Sequence, residues 1–196
     1  LATDTNSNEI AIINISSIPY TESGYFNSPG STDANAVFVS GETGYMTAGD
    51  KLYNFDLSSK SGSRPAIDPD GLTLAGTGTR LHIVGNYAYV SITGGSVELE
   101  IIDLTNPLNL TVVATANVDS QGGKDVYVNG AGTRVYLATG VSPTQSELHI
   151  LNSSSKTGSL PRVSSYDTNG MDPKAIQQLL QAELLSAVPE QKSIKL

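Results

Sequence analysis

Apolar and polar residues alternate along the chain in short runs: KLYNFD at residues 51–56, ELEIID at 98–103 and ELHILN at 147–152. A period of two over roughly 4–8 residues predicts strands with one buried face. Gly, Asn, Ser and Pro punctuate the runs, as turns between short strands require. One stretch breaks the strand period. In PKAIQQLLQAELLSAV, the residues Ile176, Leu179, Leu180, Leu184, Leu185 and Val188 recur at helical spacing, with Pro173 ahead of them and Pro189 behind. This predicts a short amphipathic helix over 173–188. No apolar run approaches the ~18 residues of a membrane-spanning helix.

The strand pattern repeats. SSKSGSRPAI at 58–67 and SSKTGSLPRV at 154–163 are near twins set 96 residues apart. Midway stands a diverged third copy, DLTNPLNLTVVAT at 103–115. Gly41, Gly85 and Gly130 each follow a first strand, and Tyr45, Tyr89 and Tyr136 sit in a second. Asp56, Asp103 and Asn152 end a third, and Pro65, Pro107 and Pro161 precede a fourth. The Gly, Tyr and Asp/Asn landmarks are spaced by 44 to 49 residues. Four short strands repeated at this period are the signature of a β-propeller blade. A β-sandwich also uses many short strands but does not require recurring turns.

The expected fold is therefore all-β: a propeller of about four four-stranded blades, either four-bladed or part of a larger ring. Blade units fall near 1–30, 36–76, 80–118 and 125–168, followed by a C-terminal segment at 171–196. The chain opens LATDTNSNEIAI, without Met and inside a repeat, which points to a piece of something larger. Joining the termini gives KSIKL–LATD, comparable with TRVYLATG at 133–140. Residues 192–196 are thus expected as a closing strand for the first blade, with 171–176 as its partner.

The segments VGNYAYV (84–90), LEIIDLTNPLNLTVVA (99–114) and VSSYDTNGMDPKAI (163–176) resemble the LVIVD family of propeller repeats from bacterial and archaeal surface proteins. The unit beginning at Arg80 carries the likeness most closely. The first and third units depart from it, GETGYMTAG by shortening the pattern and HILNSSS by replacing Asp with Asn. The resemblance implies an extracellular or envelope-anchored setting and a scaffold or recognition role. It implies no shared catalytic residues.

Composition narrows the partners. Eleven Lys and Arg against 19 Asp and Glu leave a formal charge of −8, which opposes binding to nucleic acid or an anionic membrane surface. The chain has no cysteine, so disulfides, thiolate metal sites and a cysteine nucleophile are excluded. Its two histidines, His82 in RLHIV and His149 in ELHIL, occupy different blade positions that do not converge, and no Gly-x-Ser-x-Gly is present. Both read as strand residues at a face boundary. GTGTRL at 76–81 lacks the third glycine of a nucleotide fingerprint. The recurring tyrosines read as blade packing rather than a carbohydrate platform.

Candidate sites are few. The oxygens of Asp4, Asn6 and Asn8 are spaced like the start of a calcium loop, but Gly at the sixth place and Glu at the twelfth (here Ile15) are missing. A hairpin loop is the stronger reading, and no cofactor is expected. Asn14, Asn109 and Asn152 stand in Asn-x-Ser/Thr sequons and are candidates for glycosylation. The expected function is a non-enzymatic extracellular module for recognition, adhesion or scaffolding, with a protein or glycan partner at the cell surface. One alternative is the subunit of a surface filament or coat that self-associates through 173–196. The other is a propeller hydrolase.

Overall fold

The computed structural model describes Ala2 and residues 8–176. Within them the chain is all-β and builds four sheets in sequence, the blades of a β-propeller. The first sheet holds β1 (Ile10–Asn14) and β2 (Thr21–Phe26). In the second, β3 (Ala34–Ser40), β4 (Thr43–Ala48) and β5 (Lys51–Asp56) form an antiparallel meander. The chain then makes β6 (Gly62–Arg64) before returning as the short fourth strand β7 (Leu72–Thr73).

The third blade is complete in antiparallel order: β8 (Thr77–Val84), β9 (Tyr87–Thr93), β10 (Leu99–Asp103) and β11 (Thr111–Ala116). The fourth has β12 (Gly123–Val128), β13 (Arg134–Thr139) and β14 (Leu148–Asn152), then β15 (Gly158–Ser159) and its own last strand β16 (Arg162–Tyr166). The first strands β3, β8 and β12 adjoin one another and mark the axial side. Each blade therefore has one face toward the blade before it and one toward the blade after it.

Three apolar clusters fill the gaps between blades. Ile10 and Phe26 meet Met46, Ala48, Tyr53, Phe55 and Leu57 of the second blade, with the Phe26 and Phe55 rings stacked at 4.3 Å. Tyr45 and Leu52 meet Leu81, Ile83, Val90 and Ile102 of the third. Tyr89, Leu99 and Ile101 meet Val126, Val135, Leu137 and Leu151 of the fourth. Period-two alternation explains this arrangement, since successive side chains of a strand must serve opposite neighbours.

The twin stretches do more than turn. β6 adds to the outer edge of β2 in the preceding blade, in parallel, with Gly24 opposite Gly62. Likewise β15 adds to β11, with Ala114 opposite Gly158. Each excursion then returns to its own blade, where the Asp56 N–H donates to Pro65 O (3.0 Å) and the Asn152 N–H to Pro161 O (2.9 Å). Clasps thus join the first blade to the second and the third to the fourth. The third blade sends none to the second, so the structural unit spans two blades, as the 96-residue offset of the twins requires.

The third strand ends identically in all four blades. The side-chain oxygen of Asn14, Asp56, Asp103 or Asn152 accepts the N–H two residues on, from Ser16, Ser58, Thr105 or Ser154, at 2.8 to 3.0 Å. This local bond draws the chain out of the ladder and starts the loop. Residues 173–176 of the expected helix are irregular, and the rest of it lies outside the described residues, as does the closing strand expected at 192–196.

Candidate functional site

Buried polar groups hold the loops that frame the axial side. Glu9, Glu98 and Glu147 stand just before the third strand of the first, third and fourth blades, and all are buried. Each carboxylate accepts a backbone N–H two residues beyond the fourth strand: Ser28 at 2.8 Å, Val118 at 2.7 Å and Thr168 at 2.8 Å. The N–H of Thr168, then that of Ser142, holds the Glu147 carboxyl below the usual carboxylate range. In the second blade Lys51 takes this position and reaches Asp70 O and Thr73 Oγ1 instead.

A second position on the third strand ties the second, third and fourth blades to the loops that lead into them. Tyr53 donates its hydroxyl to Pro29 O (3.3 Å), and the Glu100 carboxylate accepts the Ala75 N–H (3.3 Å). Burial pushes the Glu100 carboxyl up. At the matching place in the fourth blade, His149 Nε2 lies 3.0 Å from Asp119 Oδ2, which also accepts Thr139 Oγ1–H at 2.5 Å. His149 is therefore a fully buried member of a hydrogen-bonded trio and not a face-boundary residue. Its Nε2 carries the proton it gives to Asp119. Burial pushes Asp119 up, but the bonds from His149, Thr139 and the Gln121 N–H outweigh it and hold the carboxyl below its ordinary value.

His82 lies elsewhere, on the axial strand of the third blade. It pairs with Tyr89, as Phe38 pairs with Tyr45 and Tyr127 with Tyr136. Phe38, His82 and Tyr127 thus hold the same position on three successive inner strands. Their rings meet in a row, Phe38 to His82 at 5.6 Å and His82 to Tyr127 at 5.1 Å, and Tyr136 extends it at 6.1 Å. All four are half-buried. Burial lowers the His82 pKa, with the charge of Asp125 opposing, so the imidazole is neutral at pH 7. The row presents half-buried ring faces and a neutral imidazole side by side. Beneath it, Tyr89 donates to Gly132 O (3.2 Å), and its phenol is pushed up to about 12, chiefly by burial.

Of the sequence candidates, Asp4 and Asn6 lie outside the described residues, and Asn8 stands half-buried beside Glu9. Among the described residues no three His, Asp or Glu side chains gather as a metal site. Asn14 and Asn152 are the turn-forming residues described above, and Asn152 Oδ1 also accepts from Arg134 Nη1 (3.2 Å). Asn109 is exposed in the β10–β11 loop. The three are not brought together. Sequence reasoning passed over the buried glutamates, though the recurring pair of Glu and an aliphatic in NEIAI, VELEI and SELHI was their signal.

No protein-family model matches the chain, and no curated protein is similar to it in sequence. The fold is matched by solved structures. The Cps50 (Swd1) β-propeller domain of Myceliophteria thermophila superposes with a TM-score of 0.59 at 12% identity, over 83% of this chain and 54% of that one. A Bacteroides uniformis protein assigned as a 6-phosphogluconolactonase gives 0.57 at 15% identity, over 77% and 47%. The computationally designed Ika4 gives 0.57 at 11%, over 79% and 85%. The chain has a β-propeller fold and spans about half the length of the first two and most of the third. At these identities the likeness concerns the fold alone.

Proposed function

We propose that the chain is a non-catalytic β-propeller module of the LVIVD-repeat kind that holds a protein partner at the cell surface or outside the cell. The axial row of Phe38, His82 and Tyr127 carries this reading. Half-buried aromatic side chains supply large contact area at low entropic cost, which suits a recognition surface. The LVIVD-like repeats and the acidic, polar surface support the extracellular setting. The buried Glu9, Glu98, Glu147 and His149–Asp119 groups are committed to holding loops.

Two measurements test the reading. Protease treatment of intact source cells should degrade the protein, and survival until lysis would count against a surface location. Partners cross-linked on those cells should be lost from a Phe38→Ala/Tyr127→Ala variant that remains folded. Turnover of a lactone or glycoside abolished by His82→Ala would replace this proposal with the hydrolase reading.

A further inference from the structure

We propose that the outer edge of β16, in the fourth blade, receives an extended strand from a partner protein. The donor adds in parallel and carries the Gly-Ser-x-Pro chemistry of the clasps. This edge is a different surface from the axial row and stands whether or not that row binds.

Three last strands share one build. Ile12 opposite Gly24, Ile101 opposite Ala114 and Ile150 opposite Ser164 hold the same place in the ladder, each followed by a bulge. A small residue therefore recurs where a clasp touches, since Gly62 pairs with Gly24 and Gly158 with Ala114. The approach is close: a Cβ on Gly24 would meet Gly62 O at 2.7 Å. Two of these three edges are filled, and Gly24, Phe26, Ala114 and Ala116 on them are buried. All five residues of β16 are exposed, Val163 by 54% and Tyr166 by 64%. Among the described residues no strand pairs with its outer edge. The second blade presents no such edge, because β7 has only two residues and follows the turn DPDG at 68–71.

The filled edges state what the open one accepts. Each clasp begins on a left-handed glycine, Gly62 or Gly158, and runs on through Ser and one further residue to Pro. Thr115 O accepts the Leu160 N–H (2.9 Å), so Thr115 turns its backbone outward, and Ser165 is its equivalent on β16. Both clasp segments, 58–67 and 154–163, hold two basic residues and no acidic one, while the chain carries −8. Charge thus favours a donor of this kind. The signature Ser-Ser-Lys-Ser/Thr-Gly-Ser-x-Pro occurs twice in the 196 residues, and both copies are already seated. Residues 177–196 contain no glycine with which to start a third. Beyond β16 the described chain crosses to the opposite edge of the sheet, where the Ile176 N–H donates to Asp125 Oδ2 of β12 (2.6 Å). The donor is therefore a strand of a separate protein. Main-chain bonds along β16 supply its affinity, and the left-handed glycine supplies selectivity.

A fluorescein-labelled peptide of residues 154–163, titrated with the whole chain and read by anisotropy, should bind saturably. Replacing its glycine by D-Ala should keep the affinity, whereas L-Ala should weaken it roughly tenfold, because only the D residue favours positive φ. Ser165→Pro removes an outward N–H, which an edge strand tolerates, and should abolish binding while β-sheet circular dichroism is retained. Should that variant fail to fold, a benzophenone-bearing peptide should cross-link the wild-type protein within Arg162–Tyr166. In source cells, benzoylphenylalanine in place of Val163 should join the protein to a second polypeptide, at a stretch containing Gly-Ser. Absence of binding, equal binding of a scrambled peptide, or indifference to the handedness of the alanine would each overturn the proposal. So would peptide cross-links on β2 or β11, or a cellular joint confined to the protein's own chain.

Discussion

At the scale of residues, buried polar groups hold the loops, and their energetics can be read from what each leaves behind when removed. Asp119 accepts hydrogen bonds from His149, Thr139 and the Gln121 N–H in a site that excludes water. Asp119→Ala strands two buried side-chain donors and should cost about 1–3 kcal/mol in urea unfolding at pH 7. Because the folded-state pKa is depressed, the carboxylate contributes stability that is fully present above its ordinary value of 3.8. That stability is lost as pH falls through the lower folded value. Wild type should therefore lose stability between pH 5 and 3 faster than Asp119→Asn (about 3.9 being the unfolded midpoint), and parallel curves would refute this. Glu98→Ala, which orphans the Val118 N–H, should likewise cost about 1–3 kcal/mol. Glu98→Gln should recover part of it, because an amide oxygen can still accept that N–H. Neither group was legible from alternation. A Glu at the head of a strand looks solvated, and its acceptor role depends on an N–H 20 residues away in sequence.

Elements add what single residues do not. The clasp strands require a left-handed backbone at their first residue, with φ of +67° at Gly62 and +74° at Gly158. A Cβ built at either meets nothing within 4 Å, so substitution strains only the backbone. Gly62→Ala and Gly158→Ala should each destabilise by about 1–2 kcal/mol. The double variant should show the sum, since the two sites share no partners. A neutral result in thermal and urea unfolding would mean that the clasps contribute nothing to the native fold. Most of the framework was legible at this scale. The Gly, Tyr and Asp/Asn landmarks fall where blade strands turn or pair, because each marks a local backbone need that sequence states directly. The clasp itself was not. Ser, Gly and Pro announce a bend, but the strand that receives the bend belongs to the previous blade, and only the fold brings it near. His149 shows the same limit, since an imidazole between leucine and isoleucine reads alike whether it is buried or at a rim. The axial row was half visible: the second-strand tyrosines that pair with it recur in sequence, whereas Phe38, His82 and Tyr127 differ in type and share only a register.

For the whole molecule, the decisive variable is whether a blade has neighbours on both sides. Stability in such a stacked array is the sum of blade terms and interface terms, so interior and terminal blades should respond differently to the same deletion. Ile101 and Ile150 make the comparison clean, being the same residue type at the same position of the third strand, each opposite a second-strand tyrosine. Ile101 is sealed in the cluster between the third and fourth blades, whereas Ile150 lies on the open face. Ile101→Ala removes buried methyl groups and leaves a cavity, at a cost of about 2–5 kcal/mol. Ile150→Ala trims a half-buried side chain and should cost less than half as much in urea unfolding. Equal losses would mean that the outer face of the fourth blade is covered as completely as the junction between the third and fourth.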